Sequence, residues 1–251
     1  PTSERHRSLR AVFESFWKLF AEAEQAALMQ VVAFRGGFRL EAAQVVADVS
    51  APTLAGLARK SLLVWDEPHA RYALHADIRH YAAGKLEAQP LLAQRVRARH
   101  ATYFTDFVQQ REAALRGPQQ VQVQAEIESE QQNILAAWEW AIARGDEALL
   151  ARLAHGLFAF YEAKSRFKEG TRVFQPAIER MRSAAAADPV AARLLRRLLG
   201  WQAALYRQLG QYDQATDLIA AGLALPGLPS DEGLAFLLLQ SAWVAFLQAQ
   251  Y

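Results

Sequence analysis

The sequence predicts a mostly α protein: short helices around a β-hairpin, then a run of packed helix pairs. Three observations predict it. Apolar residues recur at spacings of three and four along most of the chain. The period switches from two to 3.6 at His75, where an alternating segment gives way to a helix. Finally, YEAKSRFKEG at 161–170 is repeated as YRQLGQYDQA at 206–215, and AFLQAQY at 245–251 begins a third copy.

The elements follow in order. Residues 9–20 form an amphipathic helix with Leu9, Val12, Phe13, Phe16, Trp17 and Phe20 on one face. A second helix covers residues 22–32 and ends in the turn 34–38, where Gly36 and Gly37 permit positive φ. A third, 40–47, packs through Ala42, Ala43, Val45 and Val46. Pro52 opens a fourth that runs to Lys60. Residues 61–65 form a strand, 66–70 a turn and 71–75 a second strand. Ile78, Tyr81, Ala82 and Leu86 then mark the buried face of a closing helix. Residues 1–90 are thus one domain, and 91–143 a helical connector. In it Tyr103, Phe104, Phe107 and Val108 share a face, and a single strong helix covers 126–143.

Residues 144–251 read as tetratricopeptide (TPR)-like helical repeats. Leu157, Phe158, Tyr161, Phe174 and Ala177 stand at the first copy's packing positions, and Tyr206, Gly210, Tyr212, Ala215 and Ile219 at the second's. Gln202 and Gly222 depart from the pattern, which prefers Leu and Ala there. The uncharged run 233–251 reads as a solenoid helix, because Gln240, Ser241, Gln248 and Gln250 interrupt it as a membrane span. Pro1 in place of Met, and a chain that stops in mid-repeat at Tyr251, suggest a piece of a longer protein.

Composition narrows the function classes. Hydrophobic residues make up 52% and charged residues 22%, the net charge is +2, and there is no cysteine. Disulfides and thiol chemistry are excluded, and a cytoplasmic setting is expected. Residues 1–90 carry eleven Lys/Arg against ten Asp/Glu, so no basic platform for nucleic acid exists. A recognition helix at 52–60 would offer only Thr53, Arg59 and Lys60, so direct DNA binding is disfavoured. The sequence contains no GxxxxGK[ST], GxSxG or HExxH, and His69, His75 and His80 lack metal-ligand register. No enzymatic activity, metal or cofactor is expected of this chain itself, nor a membrane.

The stretch KSLLVWDEPHARYALHADIRHYAAGKL at 60–86 resembles the winged-helix module of STAND-type signalling ATPases, including NB-ARC switch proteins and large bacterial regulators of the LuxR and AfsR kind. RHRSLRAVFES at 5–15, VVAFRGGFRLEAA at 31–43 and ESEQQNILAAWEWAIARGD at 128–146 are similar to the same family. The resemblance implies a fold of a winged helix followed by a right-handed TPR-like α-solenoid. It also implies a parent protein with an ATPase domain that binds ATP/ADP and acts as the chain's own partner. In that family a histidine at this junction senses the nucleotide, here His75 within Leu74-His75-Ala76, where related proteins carry an acid in the third place. The plain reading of His75 is a residue capping or packing the first helical turn. The functional reading places its imidazole at a helix N-terminus, where an anion is attracted.

A protein or small-ligand signal would occupy the concave face of the repeats, lined by His155, Glu162, Arg197, Trp201, Arg207 and Gln208, with Trp201 exposed among arginines. The expected role is regulatory, the winged helix stabilising an ADP-bound off state. The alternatives are a sequence-specific DNA-binding winged-helix protein and a TPR scaffold without a switch.

Overall fold

Ser50 shows how the local signals operate. Its hydroxyl accepts from the Thr53 backbone N–H, and Pro52 follows in the first helical turn, so the chain enters a helix at Ala51. The computed structural model describes residues 14–226 and 232–249. Leu9, Val12, Phe13 and Tyr251 therefore lie outside the described residues. The described chain is mostly helical, with one small antiparallel sheet. It divides into two units, Pro1–Phe104 with Glu130–Ala137, and Thr105–Ser129 with Trp138–Tyr251.

In the first unit, residues 14–17 are helical and are followed by α1 (Glu22–Val31), α2 (Leu40–Ala47) and α3 (Ala51–Arg59). Then come β2 (Leu63–Asp66), β3 (Arg71–Leu74) and α4 (Ala76–Glu87), with β1 (Gly37–Phe38) lying between α1 and α2. Helix α1 packs against α2, α3 and α4. The core is apolar: Leu28, Val31, Phe34, Phe38, Val46, Leu54, Leu57, Ala82 and Leu86 are all buried.

Three expectations change here. The sheet has three strands in the order β1-β3-β2, because Gly37 and Phe38 pair with Ala73 and Tyr72. Only Gly36 of the glycine pair has a left-handed backbone, at φ 84°. Val45 and Phe16 face outward, whereas Trp17 is buried as expected and Ala47 is buried as well.

Helices α5 (Pro90–Glu112) and α7 (Gln131–Arg144) each contribute to both units. The single helix expected over 126–143 is in fact two. Helix α6 (Gln120–Ser129) ends before Glu130, whose carbonyl accepts the N–H of Ile134 and starts α7.

The second unit continues with α8 (Glu147–Ala163), α9 (Phe167–Ala185), α10 (Pro189–Gln208), α11 (Tyr212–Leu223) and α12 (Glu232–Gln248). Successive helices from α8 to α12 pack on one another, and α10 also meets α8 and α12. Asp146 and Asp188 cap α8 and α10 by accepting from Leu149 N–H and Val190 N–H.

The repeated sequences make the same turn. Ser165 and Gly210 are left-handed, at φ 54° and 71°, and the following N–H bonds back to the carbonyl of Tyr161 or Tyr206, at 2.9 and 3.0 Å. The two departures from the repeat pattern have packing causes. Gln202 is buried and donates to Thr171 O. A Cβ on Gly222 would lie 2.5 Å from Leu237 Cδ1, so glycine lets α12 seat its leucine. Among the described residues, no helix is long and apolar enough to cross a membrane.

Candidate functional site

His75 sits where the hairpin ends. Leu74, the last residue of β3, pairs with Leu63 and is buried, and His75 is the N-cap of α4. Its carbonyl accepts from Arg79 N–H at 2.9 Å, while its side chain makes no capping hydrogen bond and is exposed. Capping by the imidazole is thereby excluded as its structural role. Asp77 is an acidic residue in the first turn of α4, where the helix N-terminus favours a negative charge.

Around this junction lies a polar scaffold that sequence patterns did not reveal. Arg79 of α4 donates from Nη1 to Phe34 O at 2.5 Å and to Val32 O at 3.3 Å, tying the helix to the loop before β1. Burial pulls its guanidinium below its ordinary pKa. Arg71 of β3 forms a two-pronged pair with Glu130, one contact at 3.0 Å, and also donates to Gly37 O at 2.6 Å. Asn133 joins them, donating to Glu130 Oε2 at 2.8 Å and Gly37 O at 3.0 Å while accepting from Arg35 N–H at 2.7 Å. His100 lies 3.4 Å from Asn133 Oδ1 among Phe34 and Phe104, and burial lowers its pKa to about 4. The only hint in the sequence was the phrase containing Glu130 and Asn133, whose polar side chains turn out to be buried.

The second unit holds a pocket of about 330 Å³. His155 and Phe158 reach it from α8, and Arg197 and Trp201 from α10. Glu232 and Phe236 of α12 and Arg116, in the short turn after α5, complete the lining. Trp201 is 5% exposed, against the expectation of an exposed ring. It is stacked with Phe158 at 5.9 Å and with His155 at 5.6 Å, because both lie one turn apart on the facing side of α8.

The Arg197 guanidinium lies 4.9 Å from the Trp201 ring centre. His155 Nδ1 is 2.5 Å from Glu112 Oε1, and Arg116 donates to Glu162 Oε2 at 3.1 Å. Four of the six predicted residues thus gather here, His155, Arg197 and Trp201 in the lining and Glu162 behind Arg116. Arg207 turns instead to Gln240, at 3.0 Å, and Gln208 is exposed; neither lines the pocket. Sequence reasoning missed Arg116, Phe158 as a wall, and Phe236. Among the described residues, no group of three His, Asp or Glu side chains is placed to hold a metal ion.

No family model matches the chain. It is 31% identical over 195 residues to provisionally named HTH-type transcriptional regulators of Mycobacterium bovis and of two strains of Mycobacterium tuberculosis. The match takes in 71% of this chain and 21% of each relative, so the chain spans about a fifth of the length of the curated relatives it matches. Among solved structures, it is similar to a signal transduction ATPase with numerous domains (STAND) protein with a tetratricopeptide repeat sensor from Pyrococcus horikoshii. That similarity has a TM-score of 0.43 and 15% identity, covering 86% of this chain and 33% of the other.

Proposed function

We propose that the chain is a regulatory segment of a larger STAND-type signal-transduction protein or transcriptional regulator. In this reading the first unit is a winged helix that stabilises an ADP-bound off state, and the helix pairs of the second unit are a TPR-like sensor. The observation that carries it is the free imidazole of His75 at the N-terminus of α4. Among the described residues that side chain is spent neither on capping nor on the core, and it stands at the first turn of α4, the end of a helix that favours an anion. The order of three helices, a hairpin and a closing helix supports the winged-helix reading. The names of the mycobacterial relatives support a role in regulating transcription.

The mechanism is a population shift. An ATPase domain of the parent chain would present the phosphates of ADP to His75, whose N–H donates to them and adds to the stability of the closed state. A signal with higher affinity for the open state draws the equilibrium away from that contact. This chain supplies the sensing histidine and the input site, and catalyses nothing itself.

The test is His75→Ala in the full-length protein, with ADP release followed by a fluorescent analogue. Faster release together with higher basal signalling is expected. Release at the wild-type rate would overturn the reading.

A further inference from the structure

The pocket of the second unit combines aromatic walls with an arginine, Arg197, that has no carboxylate partner among the described residues. Phe158, Trp201 and Phe236 supply the walls, and the stacking of Trp201 on His155 and Phe158 holds them in place without a ligand. Phe236 meets Phe158 edge to face at 6.1 Å. The charges are unevenly used. Glu112 takes His155, and Glu162 takes Arg116. Arg197 is half-buried over the Trp201 ring and has no carboxylate within ion-pair distance among the described residues. Glu232, also in the lining, opposes a second negative charge.

We propose that this pocket binds a small aromatic carboxylate, its ring against Trp201, Phe158 and Phe236 and its single carboxylate on the Arg197 guanidinium. The volume of about 330 Å³ is at the small end of ligand sites, which suits one or two fused rings better than a peptide. A single guanidinium in a lining that also carries Glu232 suits a monoanion better than a phosphate dianion, and its fork matches two carboxylate oxygens. The proposal gives a ligand class to the input site. Its regulatory meaning rests on the function proposed above, whereas binding itself does not.

Calorimetry on the 251-residue chain tests it with phenylacetate and indole-3-acetate, each against its neutral amide. Both acids should bind, and the amides about 10- to 100-fold more weakly, since a charge-assisted hydrogen bond is lost. Arg197→Met should weaken the acids to the level of the amides, Glu232→Gln should tighten them, and Arg193→Met, an exposed change on the same helix, should do neither. Equal affinity for acid and amide, or no heat from either acid at about 5 mM, a concentration that reaches even millimolar Kd values, would overturn it. So would full affinity in Arg197→Met. The acid–amide comparison needs no variant to fold. Because ADP release is measured separately in the full-length protein, failure of one proposal is distinguishable from failure of the other.

Discussion

Arg71 and Glu130, 59 positions apart, meet as a two-pronged ion pair with side chains only 12% and 5% exposed. Arg71 belongs to the last strand of the hairpin and Glu130 to the turn that opens α7, so the pair fixes the sheet to a distant part of the chain. Removing one partner strands the other. Glu130→Ala should cost about 3 kcal/mol in chemical denaturation, the penalty of an uncompensated buried charge. The double change Arg71→Met with Glu130→Leu should cost clearly less than the sum of the single changes. Additive losses would show the pair to be uncoupled.

His100 gives the fold a pH dependence of known sign. Burial lowers its pKa to about 4, below the usual histidine value of about 6.5. The unfolded chain therefore binds a proton that the folded chain refuses between those values. Its contribution to stability is fully present above pH 6.5 and is lost as the pH falls through about 4, to a total of roughly 3 kcal/mol. Urea titrations at pH 7.0 and 4.5 should show this slope in the wild type and a much shallower one in His100→Gln.

Ser165 occupies the left-handed position that Gly210 occupies in the next copy of the turn. A side chain there carries a conformational cost of about 1–2 kcal/mol, part of which glycine forfeits through its own entropy. Ser165→Gly should raise stability by about 1 kcal/mol, read as a higher melting temperature. Gly210→Ala should lower it by a similar amount. A Cβ at Gly210 would meet nothing within 4 Å, so that loss would be conformational rather than steric.

Arg196 caps α11 from the side. Its guanidinium, buried on α10, donates to Gly222 O at 3.2 Å, Leu225 O at 2.6 Å and Pro226 O at 3.0 Å. Gly222 lies in the last turn of α11 and Leu225 and Pro226 just beyond it, where helix carbonyls run short of partners. Arg196→Met should cost about 2–3 kcal/mol. Arg196→Lys should recover only part, because a single ammonium cannot span three acceptors. Equal stability of Lys and Arg at this position would exclude the fork as the reason.

Much of the helical layout was legible. The period switch at His75 falls within one residue of the boundary between β3, which ends at Leu74, and α4, which His75 caps; the repeated YxxxxxF/Y phrases mark two turns of the same geometry. Strand β1 was not legible, because two residues carry no period and Gly37-Phe38 becomes a strand only by pairing with β3. The break at Glu130 was hidden for a related reason. Helix propensity continues through it, and the turn is visible only once Arg71 and Asn133 claim its carboxylate. At the pocket, the sequence placed His155, Arg197 and Trp201 on one surface but read Trp201 as exposed.

By itself the sequence determined the helical class, the hairpin, the place of His75 and the helix-pair repeat, all of which depend on spacing along the chain. The tertiary structure alone decided which polar groups are buried together and which face covers Trp201. It also decided that Arg197, in the lining of the pocket, has no carboxylate within ion-pair distance among the described residues. The physical reason is that periodicity specifies an apolar face but not its covering. Glu130, Arg196 and Arg197 look alike as surface charges until the chain returns, and then hydrogen bonding and desolvation give each a different role.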